Sequence, residues 1–205
     1  MEQENNHKIS IRSARPADSD AIVQLQLLSI ETLCAQDYNK EQLQAFLKSK
    51  SCPRYWDEKI FIAEIDQTIV GFAALQKYSH VITAMFVHPL HIRKKVGTTL
   101  LLHVEQVAMK KRTKKLLVYS SLTGKNFYAR NGFTTICEYN ILLENMVVFP
   151  SIKMSKQLLT KKTTKSSSKV FDPQSIQQKS ILQLLLRVSI PSITMLLVYF
   201  FIKIR

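Results

Sequence analysis

Met85-Phe86-Val87-His88-Pro89-Leu90-His91-Ile92-Arg93-Lys94-Lys95-Val96-Gly97-Thr98-Thr99-Leu100-Leu101-Leu102 reads as a strand end, a proline-marked break, a basic loop with one glycine, and the start of a helix. A loop at a helix N-terminus presents backbone N–H groups that no helical carbonyl can reach, together with the positive end of the helix dipole. Arg93, Lys94 and Lys95 add three cations beside them. The stretch is therefore a candidate anion cradle, although a basic loop before an ordinary surface helix has the same appearance.

Upstream, Ile9 to Arg12 alternates as a short strand, and helical spacing of Ile22, Leu25, Leu28 and Ile30 predicts a helix from Ala21 to about Cys34. Asn39 is placed to cap a second helix striped by Leu43, Phe46 and Leu47. Ile60–Ile65 and Thr68–Leu75 are β-rich runs separated by Asp66-Gln67, a hairpin spacing, and Val81–Val87 is the next strand. The helix that follows carries Val96, Leu100, Val104 and Val107 on one face, with Glu105 and Lys110 to Lys115 outside it.

Leu116–Tyr119 then reads as a buried strand. Lys125–Phe133 is a short helix closed by Asn131-Gly132, a pair suited to a left-handed cap, and Thr135–Leu143 and Val147–Met154 supply further strands. Strands interspersed with helices predict a mixed α/β layer structure over residues 9–154.

Past Met154 the composition changes. Residues 155–180 are rich in Lys, Ser and Thr and read as a flexible linker. Residues 181–202 are mostly apolar, and as a helix they would extend roughly 33 Å, close to the thickness of a bilayer core. Gln183 and Arg187 weaken that span, although Arg187 lies near its end, where a long side chain can reach the headgroups. The expectation is a single-pass C-terminal membrane anchor, with an interfacial helix and a helix packed on the domain as the alternatives, and the lysine-rich approach places the preceding domain in the cytoplasm.

Charge is concentrated in that tail. Residues 1–150 hold 19 Lys and Arg against 14 Asp and Glu, whereas residues 151–205 hold 10 against 1. With no aromatic residues interleaved among the tail lysines, nucleic acid is not an expected partner. Cys34, Cys52 and Cys137 are unpatterned, and the five histidines lack metal-ligand spacing, so neither a disulfide framework nor a metal is expected.

The order of elements, the Val87-His88-Pro89 to Leu101 stretch, and Asn126-Phe127-Tyr128-Ala129-Arg130-Asn131-Gly132-Phe133 thirty residues later resemble the GCN5-related N-acetyltransferase (GNAT) superfamily. The segment Ser29–Gln42 is similar to that of a bacterial single-domain branch. The resemblance covers about residues 9–149 and implies a mixed sheet splayed beside its fourth strand, with acetyl-CoA as co-substrate in the opening. It further implies that the Phe86 and Val87 backbone pairs with the pantetheine arm, and that Arg93, Lys94, Lys95, Val96, Gly97 and Thr98 hold the pyrophosphate. Asn126 would bond the cofactor arm, and Tyr128 would be the general acid that protonates the departing thiolate.

Against the family pattern Q/R-x-x-G-x-G/A, Gly97 matches, but Ile92 and Lys95 replace the first residue and the first glycine. A lysine held in left-handed geometry would cost on the order of 1–2 kcal/mol. The leading expectation is an N-acetyltransferase, tethered to a membrane and acting on a primary amine of a small molecule or peptide. A catalytically silent membrane-attached binding module stands as the alternative. Glu64, His80, His88 and Tyr38 are candidates for deprotonating the amine, and Leu33 to Tyr38, the loop around Trp56 and the strand near Tyr78 for the acceptor wall.

Overall fold

Strands of two-residue period and helices of apolar stripe alternate along the chain in the order β1 (Ser10–Ser13), α1 (Ser19–Leu33), α2 (Lys40–Lys48), β2 (Glu58–Ile65), β3 (Thr68–Gln76), β4 (Val81–Val87), α3 (Val96–Lys110), β5 (Lys115–Ser121), α4 (Lys125–Arg130), β6 (Thr134–Leu142) and β7 (Val148–Gln157). The computed structural model describes residues 8–48, 57–143 and 146–158. The chain divides into two units, residues 1–161 and 162–205. The segment 181–202, most of the expected linker, Cys52 and Trp56 lie outside the described residues. Among those described, no helix is long and apolar enough to cross a membrane.

Local chemistry accounts for the element ends. Asn39 Oδ1 accepts from the Gln42 N–H at 2.8 Å and Gln42 Oε1 accepts from the Asn39 N–H at 3.1 Å, a reciprocal cap on α2. Asp66 and Gln67 both have positive φ, 49° and 64°, as the tight β2–β3 turn demands. Gly132, with φ 85°, supplies the left-handed residue just after α4.

The sheet has seven strands in the order β1-β2-β3-β4-β5-β7-β6, antiparallel except for β4 against β5. Alternate residues of its middle strands serve two cores. Phe61, Ala63 and Ala73 pack with Val96, Leu100, Leu101 and Val104 of α3 on one face. Ile62, Phe72, Ala74 and Ala84 pack with Ile22 and Leu25 of α1 on the other.

Two sequence expectations change. Glu105, read as lying outside the α3 stripe, is buried, because Lys156 Nζ of β7 reaches its Oε1 at 2.6 Å. The expected boundary at Met154 also moves. Ser155, Lys156 and Gln157 continue the ladder opposite Leu117, Leu116 and Lys115, and the buried Leu158 donates its N–H to Lys114 O at 2.7 Å. Polar residues that read as linker are here held by backbone pairing, which is indifferent to side-chain polarity.

Candidate active site

The β4–β5 ladder consists of two pairs, Val81 with Leu117 and Ile82 with Val118. In the β3–β4 register Ala74 faces Ala84 and Leu75 faces Ile82, so Thr83 is an extra residue, a bulge that bends β4 away from its neighbour. Beyond it the two strands splay around a cleft with a volume of about 1100 Å³. The cleft gathers Phe86, Val87, Arg93, Lys95, Val96, Gly97, Thr98, Asn126 and Tyr128, which the sequence reading proposed from two separate stretches. Lys94 is exposed and is not among the lining residues.

Register decides which backbone groups of β4 reach the opening. His88 donates its N–H to Val70 O at 2.9 Å, and the Phe86 carbonyl lies where a Cβ on Gly71 would meet it at 3.0 Å. Residues 86 and 88 therefore address β3, and by alternation Met85 and Val87 turn their N–H and C=O groups towards the splay. The Phe86 backbone is thus engaged by β3 and its ring packs on Phe72 at 5.5 Å, while the backbone groups of Met85 and Val87 are those that open onto the cleft. Ser29 Oγ donates to the Val87 carbonyl at 3.0 Å, which ties α1 to the same edge.

In the basic loop Arg93 and Lys95 both occupy left-handed backbone, with φ 61° and 64°. Lys95 is the residue before α3 and adopts a left-handed conformation that a glycine would take without strain. The first-turn N–H groups of Val96, Gly97 and Thr98 have no intrahelical acceptor, and Arg93 and Lys95 line the same cleft. Arg130, which the sequence reading did not select, stands one helical turn from Asn126 and adds a third cation. That i, i+4 spacing was the available signal. His91 also lines the cleft. Burial first, then Lys94 and His88, lower its pKa and favour the neutral ring, whose buried Nδ1 has no partner among the described residues.

Tyr128 projects from α4 between Phe127 and Phe133, edge to face at 5.2 and 5.3 Å. It is 6% exposed, and burial pushes its phenol well above the ordinary value, so it holds its proton at neutral pH. Gly124 lets β5 and α4 meet closely, since a Cβ there would stand 2.9 Å from Ser120 Oγ and 3.6 Å from the Tyr128 ring.

None of the four expected proton acceptors lines the cleft. Glu64 bonds Arg12, His80 lines a separate concavity, and His88 Nδ1 accepts from the Leu90 N–H. Tyr38 is structural: its hydroxyl accepts from the Leu122 N–H and donates to Pro150 O, both at 2.8 Å. Of the expected acceptor wall, Leu33, Cys34 and Gln36 line the cleft, whereas Tyr78 is 85% exposed beside His80. Among the described residues no cluster of three His, Cys, Asp or Glu could hold a metal ion.

The backbone edge, the helix-start amides, the cations and the protonated phenol fit a long, phosphorylated thioester better than a compact ligand. Residues 34–158 match the profile of the acetyltransferase (GNAT) domain family. The chain is 26% identical over 140 residues to an uncharacterized N-acetyltransferase, YafP, of Escherichia coli, covering 66% of this chain and 87% of that one. It is 26% identical over 145 residues to a spermidine N(1)-acetyltransferase of Thermoplasma acidophilum, covering 61% and 88%. Among solved structures it is similar to a GCN5-related N-acetyltransferase of Rhodopseudomonas palustris, with a TM-score of 0.68, 27% identity and coverage of 73% and 95%. The PaiA N-acetyltransferase of Thermoplasma acidophilum, solved with coenzyme A, shares the fold at a TM-score of 0.59, 22% identity and coverage of 73% and 99%. The chain belongs to the GNAT acetyltransferase family, as an enzyme whose co-substrate is acetyl-CoA.

Proposed function

We propose that the protein transfers the acetyl group of acetyl-CoA to a primary amine of a small molecule or peptide, and that residues 181–202 hold it on the cytoplasmic face of a membrane. The observation that carries the transfer reading is the splay itself, which brings the amides of Val96 to Thr98, the free edge of β4 and the Tyr128 phenol to one cleft. Acetyl-CoA supplies the acyl group as a thioester. The edge of Met85 and Val87 would align the arm by added-strand pairing, and the Arg93 to Thr98 loop with Arg130 would fix the phosphates. As the neutral amine attacks the carbonyl carbon, the N–C bond forms and the C–S bond breaks. Tyr128 gives its proton to the leaving sulfur, and the nitrogen loses its extra proton to water, from which the phenol is recharged.

The measurement that tests this is steady-state thiol release. Tyr128→Phe is expected to lower kcat by about 10²–10³-fold while leaving the KM for acetyl-CoA within about threefold. An unchanged kcat overturns the assignment of Tyr128.

Support for the membrane reading comes from the length of the apolar segment and from where the chain leaves the sheet. Leu158 bonds Lys114 O, beside the concavity of about 490 Å³ formed by residues that include Lys77, Lys111, Arg112, Lys114 and Lys115. Such a basic rim suits an anionic leaflet. Deleting residues 181–205 is expected to move the protein from the membrane fraction to the soluble fraction, and unchanged association refutes the anchor.

A further inference from the structure

The part of the cleft away from the Arg93–Thr98 loop is walled by apolar and aromatic groups. Leu33 comes from α1, Phe46 from α2, Tyr119 from β5 and Phe149 from β7. Phe149 is sandwiched between two rings, stacked on Tyr38 at 4.1 Å and 4° and on Phe46 at 4.6 Å and 17°. These three rings make a rigid stack of which Phe46 and Phe149 border the cleft, and the polar groups beside it, Gln26, Ser29 and Ser151, are uncharged.

Charge within the cleft runs one way. Among the described residues no Asp or Glu lines it, whereas Arg93, Lys95 and Arg130 do. Asp37 borders it only through Thr123, whose hydroxyl donates to the Asp37 carboxylate at 2.6 Å. Behind Tyr119, outside the lining, Lys153 Nζ stands 5.6 Å over its ring. A polyamine would bring several ammonium groups into this space, and each would lose hydration without meeting a counter-charge. An apolar body bearing a single amine would instead trade water for the Phe46–Phe149 wall.

We propose that the acceptor is a primary monoamine with an aromatic or arylalkyl body, and that the cleft excludes polyamines such as the substrate named for the Thermoplasma relative. This inference rests on the acetyltransferase reading above. It assigns Phe46 and Phe149 to acceptor binding, and the lack of a carboxylate among the described lining residues to specificity.

The test uses the full chain with saturating acetyl-CoA, follows thiol release with 2-phenylethylamine and with spermidine, and measures acetyl-CoA binding separately by calorimetry. The expected result is a kcat/KM at least tenfold higher for 2-phenylethylamine. Phe46→Ala is expected to raise the KM for that amine about tenfold with acetyl-CoA binding unchanged. Because Phe46 also packs in the core, Leu33→Asp provides a second arm: one carboxylate added to the cleft should shift the preference towards spermidine by tenfold or more. Acetyl-CoA binding accompanied by equal or better use of spermidine overturns the inference alone, as does binding with neither amine acetylated. Absence of acetyl-CoA binding overturns the transferase reading and the inference with it.

Discussion

Lys95 concentrates the residue-scale question, because it holds a left-handed conformation in which a Cβ costs on the order of 1–2 kcal/mol. A residue kept there against strain adds a cation beside the helix-start amides. Lys95→Gly is expected to leave thermal stability equal or higher by about 1 kcal/mol or less, since relief of strain is partly offset by glycine's freedom in the unfolded chain. It should also weaken acetyl-CoA binding several-fold at low salt and flatten its salt dependence, which calorimetry at two ionic strengths would reveal. Gly97, Asn126 and Tyr128 were legible in the sequence because each sits in a motif with fixed spacing. Met85 and Arg130 were not selected: a strand's period of two does not say which parity faces the opening until its register with β3 is known.

At the scale of elements, the cleft depends on contacts that cross the splay. Tyr38, at the end of the turn after α1, joins the start of the β5–α4 loop to β7 by accepting from Leu122 and donating to Pro150. Burial, opposed by the Leu122 hydrogen bond, leaves its phenol pushed up to about 12, the state of a structural tyrosine that never ionises in the working range. Tyr38→Phe would strand the Leu122 N–H and the Pro150 carbonyl. It is expected to cost about 1–3 kcal/mol in urea unfolding, with little change in the pH profile of turnover, whereas loss of a proton acceptor would alter that profile. The sequence suggested Tyr38 as a base because a lone tyrosine near a substrate wall carries no mark of its partners, which lie 84 and 112 residues away.

At the scale of the molecule, the first edge of the sheet is locked to the residue that precedes α1 and to β2 by one guanidinium. Arg12 donates to both oxygens of Asp18 at 2.7 and 2.9 Å and to Glu64 Oε1 at 2.9 Å, and Asp18 also accepts from the Arg15 N–H at 2.6 Å. The Arg12 hydrogen bond, followed by that of Arg15, lowers the Asp18 pKa to about 2. Its folded value lies below the unfolded value near 4, so this stabilisation is complete above about pH 4 and is lost as the pH falls through about 2. Asp18→Asn is expected to reduce stability at pH 7 by about 1–2 kcal/mol and to flatten the acid limb of a urea-midpoint series. Element types, their order, the α2 cap, the tight β2–β3 turn and the two site motifs were determined by the sequence alone, because each rests on contacts within a few residues of chain. Tertiary structure decided the rest: the strand order, the Thr83 bulge that opens β4 from β5, the parity that turns Met85 and Val87 inward, the continuation of β7 to Gln157 and the burial of Glu105. Each of these depends on a partner more than five residues away along the chain, which local periodicity does not encode.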